Sequence, residues 1–360
     1  MSAWMDAEMP NLNKLEELPW VQEMTTCMQD PIWHGEGDVW THTQMVLEAL
    51  MALPEYKDLS TEEQFVLQWS AILHDIAKPA TTETNEKGRI ISPRHAKTGE
   101  KMARQVLWNM DIALREQICS IVRLHGLPIW GIDKELPIRQ VVLSSQRIPN
   151  KLLYLFAKAD MLGRISNDLE AQLYKVELFK ELCKDASAWD MPYSFENGHS
   201  SFRYFLKGEE WPAALYDDTE FEVMVLSGIA GSGKDTYAAK FDLPMISFDE
   251  IRKELGIKAT DAKGQGRVAQ LAYERAKAFA AKKKAFIWNS TNLTADLRAR
   301  FFQTLSVYNP RFKLVYLETS YENILASRGD YIPKKNIQAM FRILEMPLPY
   351  EAHEMLFIRR

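Results

Sequence analysis

From Glu16 to about Lys184 the apolar residues recur three and four apart, as in Phe65, Trp69, Ile72/Leu73 and Ile76, and again in Ile118 and Ile121/Val122. That period is the signature of amphipathic helices with one buried face, so this half is expected to be all helical. Ser60 followed by Glu63 forms a capping box, which opens the helix carrying Leu73-His74-Asp75, and Pro79 stops it. Pro54, Pro93, Pro128, Pro137 and Pro149 separate further helices. Between Asp185 and Asp218 the period is lost, and Pro192, Gly198, Gly208 and Pro212 mix with aromatic residues, as in a packed connector.

Beyond residue 218 the pattern changes. Short β-rich runs, Phe221 to Ser227, Met245 to Phe248, Ala285 to Asn289 and Lys313 to Glu318, alternate with helical stretches. Such alternation predicts a parallel α/β sheet with right-handed crossovers. The expected organisation is a helical domain over 1–185, a packed connector over 186–218 and an α/β domain over 219–360.

The 360-residue length and 46% hydrophobic content suit two ordinary globular domains and exclude a disordered or fibrous chain. No run approaches the ~18 apolar residues of a membrane span, and Met1 to Pro10 carries two acids and no basic segment. A cytoplasmic protein is therefore expected. Three widely spaced cysteines, Cys27, Cys119 and Cys183, make neither a disulfide framework nor a thiolate metal knot. The net charge of -5 is unevenly spread: 22 basic against 34 acidic residues up to position 220, and 22 against 15 after it, or −12 and +7. A basic C-terminal part suits a site for polyanions such as a nucleoside triphosphate or a nucleic acid.

The first β-run leads straight into Gly228-Ile229-Ala230-Gly231-Ser232-Gly233-Lys234-Asp235-Thr236 and then a helical segment. Strand, glycine loop and helix in that order wrap backbone N–H groups around a β-phosphate, and Lys234 can reach the β and γ oxygens. Asp235 stands where a Ser or Thr usually ligates Mg²⁺, so either Asp235 coordinates directly or Thr236 takes over. Asp249 and Arg252 follow the second strand, where ligands of parallel sheets bind. A carboxylate there can take the proton of an incoming hydroxyl, and an Arg one turn later can hold a neighbouring phosphate. Asn289 to Asn292 follows the third strand, with Arg298 and Arg300 beyond, and Arg328 precedes a helix over the site, suited to neutralise a transferring phosphoryl group.

These segments, over about residues 221 to 350, resemble the polynucleotide 5′-kinase family of nucleic-acid repair. The resemblance implies an ATP loop at Lys234, a general base at Asp249, an acceptor-phosphate contact at Arg252 and a lid arginine at Arg328. It also likens Asn289 to Asn292 to that family's segment after the third strand.

Five of the seven histidines, His34, His42, His74, His95 and His125, fall in the helical half. Adjacent His74 and Asp75 at a helix end can converge on one cation, and imidazole with carboxylate suits Mn, Fe, Co or Ni. The ordered series His42, His74-Asp75, His95, His125, Asp160 resembles the HD phosphohydrolase superfamily, above all the HD domain of tRNA nucleotidyltransferases, over about residues 30 to 175. By that resemblance His42, His74, Asp75 and Asp160 ligate a metal, and His95 and His125 complete a second metal site or bind phosphate. Lys78 would bind substrate phosphate, and His34 is a further contact or fixes the helix entry. No nucleotidyltransferase head precedes this region, so only the hydrolytic module is implied.

An HD module followed by a 5′-kinase module resembles the bacterial HD-Pnk family of RNA end-healing enzymes. That resemblance implies a bifunctional enzyme for RNA, or DNA, ends: an NTP-dependent 5′-OH kinase using Mg²⁺, plus a 2′,3′-cyclic phosphodiesterase and 2′-phosphatase, serving a downstream ligase. A small-molecule kinase fused to an HD nucleotidase, and a non-catalytic RNA-end or nucleotide sensor, are the competing expectations. His199 and His353 match neither motif set.

Overall fold

Capped amphipathic helices build the first part of the chain. The computed structural model describes residues 8–209, 211–258, 261–328 and 332–360. Within these the chain divides into two compact units, Met1–Tyr193 and Ser194–Arg360.

In the first unit α1 (Val39–Ala52) starts at Asp38, whose carboxylate accepts from Trp40 N and Thr41 N. Helix α2 (Thr61–Leu73) begins with both arms of the Ser60–Glu63 capping box and ends at His74. Helices α3 (His95–Val106), α4 (Ile112–Leu124), α5 (Asn150–Leu162) and α6 (Leu169–Asp185) complete the framework. Val46, Leu50, Phe65, Ile72, Ile118, Leu155 and Phe156 meet in one core. The all-helical expectation needs one correction: Glu83–Thr84 pairs antiparallel with Ile90–Ile91. Its turn is closed by the Asn85 carboxamide, which accepts from Lys87 N and Arg89 N, and by Gly88 at φ +71.

The second unit opens with α7 (Gly198–Lys207), whose Phe202 is buried in the core of the sheet domain. The segment expected as a connector is thus shared: its first residues lie in the helical unit, and from Ser194 onward it belongs to the α/β unit.

Five strands form one sheet, β1 (Phe221–Ser227), β2 (Met245–Ser247), β3 (Phe286–Asn289), β4 (Pro310–Glu318) and β5 (Glu354–Arg359). Their order is β2-β3-β1-β4-β5 and all pairs are parallel. Helices α8 (Lys234–Ala238), α9 (Phe248–Glu254), α10 (Ala262–Ala281), α11 (Ala295–Leu305), α12 (Tyr321–Arg328) and α13 (Lys334–Ile343) fill the connections. Parallel strands buried on both faces read as continuous apolar runs, as β1 and β3 do. Strand β5 escaped the sequence reading; it is the edge strand of the sheet, with Leu356 and Phe357 partly exposed. No helix among the described residues is long and apolar enough to cross a membrane.

Candidate metal centre and phosphate-binding loop

Five helices of the first unit bring the histidines and acids together. His42 sits on the buried face of α1, His74 caps α2, His95 opens α3, His125 caps α4 and Asp160 lies on α5. Gly163 lets the chain after α5 touch α1, since a Cβ there would stand 2.6 Å from the Val46 backbone. Ligand atoms of His42, His74 and Asp75 lie within 4.8 Å of one another, as do those of Asp75, His95 and His125. Asp160 joins the first group through His42 Nε2, at 3.1 Å, and is itself bound by Arg164 Nη2 at 2.8 Å.

Hydrogen bonding decides how the imidazoles face. His74, His95 and His125 each have Nδ1 against a carbonyl three residues back, Ala71 O at 2.9 Å, Ser92 O at 2.8 Å and Val122 O at 2.9 Å. A carbonyl can only accept, so each ring carries its proton on Nδ1 and turns Nε2 inward. His95 Nε2 and His125 Nε2 consequently face each other at 3.2 Å, an arrangement two lone pairs tolerate only with a proton or cation between them. His74 Nε2 stands 3.1 Å from Asp75 Oδ2 and His95 Nε2 3.6 Å from Asp75 Oδ1, yet neither His74 Nε2 nor Asp75 Oδ1 makes a well-aligned hydrogen bond. Orphaned buried polar atoms aimed at one point are what a metal would satisfy, so the residues fit a divalent cation.

The charges agree. Burial pushes the Asp75 carboxyl up, but His74 and Lys78 outweigh it and hold it well below the usual range. Burial is likewise outweighed at Asp160, by Arg164 and His42. Burial, helped by His95, pushes His125 down to about 3 and favours the neutral ring a metal needs. Lys78 Nζ pairs with Asp75 Oδ2 at 2.7 Å and also donates to Gln29. His34 stands beside His42 in a further group with Glu36. Glu36, Gln29 and Arg164 were missed in the sequence; only the i,i+4 spacing of Asp160 and Arg164 signalled a link.

In the second unit the candidate residues collect at the C-terminal edge of the sheet. Gly228, Gly231 and Gly233 take φ of +145, +92 and +92. A Cβ on Gly228 would lie 2.3 Å from Leu317 O, so the loop passes hard against β4. Lys234 Nζ donates to Gly228 O at 2.8 Å and Ile229 O at 3.0 Å, spanning the loop, and Ser232 Oγ is buried within it without a partner.

Asn289 Nδ2 donates to Asp235 Oδ1 at 2.7 Å, which ties the loop's helix to the end of β3; Thr236 is exposed beside it. Asn292 donates to Leu226 O at 2.6 Å and steadies β1 from below the loop. Arg298, fully buried, binds Asn292 O, Glu345 O and Glu351, and so serves the framework.

Asp249 and Arg252 form an ion pair in α9, and Arg252 Nη1 also donates to Gln265 at 3.1 Å. Asp249 stays 69% exposed on its side chain, open to an acceptor. Arg328 ends α12, and its side chain lies outside the described residues, as do Gly329 and Asp330. Arg360, which the sequence did not single out, reaches the loop from beyond β5, with Nη1 2.8 Å from where a Gly233 Cβ would be.

Comparison with known proteins finds one family match within each unit. Residues 39–175 match the HD domain family and residues 223–338 match the AAA domain family. The chain therefore carries a largely helical HD domain followed by a parallel α/β domain with a glycine-rich phosphate loop that matches the AAA domain family. Among solved structures it is similar to a protein described as a kinase from Chloroflexus aurantiacus, at 18% identity and TM-score 0.33, over 39% of this chain and 86% of that one. It is also similar to a gluconokinase from Sinorhizobium meliloti, at 16% identity and TM-score 0.27, over 39% and 83%. No curated protein matches the chain by sequence.

Proposed function

We propose that the protein heals nucleic-acid ends: its P-loop domain phosphorylates a 5′-OH with a nucleoside triphosphate, and its HD domain hydrolyses 2′,3′-cyclic phosphate and 2′-phosphate termini. The observation that carries this reading is the Asp249–Arg252 pair after β2, its carboxylate exposed, in the same sheet domain as a phosphate loop and in the same chain as an HD centre.

In the kinase step Asp249 accepts the proton of the 5′-OH as its oxygen attacks the γ-phosphorus, and the nucleoside diphosphate leaves. Arg252 turns from Asp249 to the acceptor's phosphate, positioning the strand. Lys234 leaves the loop carbonyls for the β and γ oxygens and offsets the charge that develops there. Mg²⁺ would be held by Asp235 or Thr236, beside Asn289, and would supply further neutralisation of the triphosphate. Arg328 is assigned to the transferring phosphoryl group.

In the HD domain, His42, His74, Asp75 and Asp160 would hold one divalent metal, and His95 and His125 would complete a second metal site beside Asp75 or bind phosphate. Mn, Ni, Co or Fe there would supply Lewis acidity and a water of lowered pKa. Lys78 and Arg164 offset two of the three carboxylates Glu36, Asp75 and Asp160. A divalent cation then leaves the centre positive overall, as an anionic phosphoester requires.

The test is a short RNA with a 5′-OH and a 2′,3′-cyclic phosphate, given γ-labelled ATP, Mg²⁺ and Mn²⁺ or Ni²⁺, with both ends analysed. Label at the 5′ end and loss of the cyclic phosphate are expected. Label on a nucleoside or other small acceptor, with the RNA untouched, would replace the reading by a small-molecule kinase fused to a nucleotidase. Absence of turnover with any acceptor would favour a sensor.

A further inference from the structure

Glu36 lies in the loop before α1, yet its side chain is only 1% exposed. Its Oε1 is 2.9 Å from His42 Nδ1 and 2.8 Å from His34 Nδ1, and its Oε2 accepts from Ile165 N at 2.9 Å. Gly35 N donates in return to Ile165 O at 2.8 Å. The carboxylate is thus locked from both sides to the chain that follows α5, close to Asp160 and Arg164. Both of its oxygens are engaged by N–H groups or imidazole nitrogens, in the position of an acceptor.

One neutral imidazole ligates a metal through one nitrogen. The Nδ1 of His42 faces two acceptors, Glu36 Oε1 and Gly163 O at 3.2 Å, so it carries a proton. The other nitrogen, Nε2, faces Asp160 on the side of the metal group. His34, Glu36 and His42 therefore make an orienting network and not a third cation site, although their donor atoms lie close enough for one.

We infer that Glu36 is a positioning residue of the metal centre: it fixes His42 as the Nδ1–H form and leaves Nε2 to the metal shared with His74 and Asp75. The inference rests on the reading of that centre as a metal site. His74, His95 and His125 take the same orientation from backbone carbonyls alone, whereas His42 Nδ1 is shared between the Gly163 carbonyl and a side chain that can be replaced. Carboxylates that orient metal-bound histidines typically contribute 10–100-fold in metal affinity.

The experiment uses the full-length chain, stripped with chelator and titrated with Mn²⁺ while free Mn²⁺ is followed by EPR. Histidine ¹⁵N shifts of the stripped protein report which nitrogen of His42 is protonated. Wild type should bind Mn²⁺ and show a protonated Nδ1. Glu36→Leu should bind about 10–100-fold more weakly and show mixed protonation at His42. Glu36→Gln keeps one acceptor oxygen and should recover the Nδ1–H form, with affinity within about tenfold of wild type.

A wild-type chain that takes up no Mn²⁺ overturns the metal reading, and the inference with it. A wild type that binds, beside a Glu36→Leu chain that binds equally well or keeps the Nδ1–H form, overturns the role of Glu36 alone. If Glu36→Leu does not fold, Glu36→Gln decides by itself, and loss of the Nδ1–H form there overturns the proposal.

Discussion

Replacing Glu116 by Gln should unfold the helical unit far more easily than an average surface change, because two buried guanidinium groups share this carboxylate. Arg104 and Arg115 are 2% and 0% exposed. Arg104 Nε and Nη2 reach Glu116 at 2.9 and 2.7 Å, and Arg115 Nε reaches it at 2.8 Å. Glu100 assists by binding Arg104 at 3.0 Å and Arg147 at 2.8 Å. Burial pushes the Glu116 carboxyl up, yet Arg104 and Arg115 bring it down to about 2, from an ordinary 4.5. That depression corresponds to roughly 3 kcal/mol. Removing one partner of a buried ion pair costs about 3–5 kcal/mol by mutational precedent.

Both routes therefore predict a loss of about 3–5 kcal/mol, equivalent to roughly 6–20 °C in the melting of a unit of this size. Chemical denaturation of the full-length chain, with hydrogen exchange read on α3 and α4, measures it. The sign with pH follows. The folded-state pKa is depressed, so the stabilisation is complete above about 4.5 and is lost as pH falls toward 2. Wild type should lose stability across that window, while Glu116→Gln should be flatter. A change below about 1 kcal/mol would refute the reasoning and mean that solvent or Glu100 compensates the arginines.

Three further outcomes are expected. Asp249→Ala should lower 5′-phosphorylation by about 10²–10⁴-fold and leave phosphoester hydrolysis intact, while Asp75→Ala should do the reverse; a joint loss in either variant argues against two independent sites. Gly228→Ala should abolish the thermal shift caused by ATP, because its φ of +145 and the nearby Leu317 carbonyl leave no place for a methyl group. Isothermal titration with ATP gives the same answer at fixed temperature. A thiol reagent should modify Cys27 in the folded chain and spare the buried Cys119 and Cys183, whose thiols are pushed up by burial, with all three reacting in denaturant.

Much of this was legible because it is local. The capping box at Ser60, the helix period around Trp69 and the strand–glycine–helix run at Gly228 each depend on neighbours a few residues away. The order His42, His74-Asp75, His95, His125, Asp160 is likewise written along the chain. Other features were written nowhere. The sheet order with β1 at its centre, the edge strand β5 and the entry of α7 into the second core arise from packing between distant segments.

The same division runs through the sites themselves. Residue types, spacing and punctuation were enough to specify two domains, a phosphate loop and a set of ligand candidates. Which nitrogen each imidazole presents, that Glu36 rather than a backbone carbonyl alone holds His42, that Asn289 grips Asp235, and that Arg298 belongs to the framework were decided only by tertiary structure. His42 and Asp160 are 118 residues apart, and no local propensity encodes a 3.1 Å contact over that distance. It exists because burying the apolar faces of α1 and α5 in one core brings the buried polar groups of those helices together, where each must find a partner.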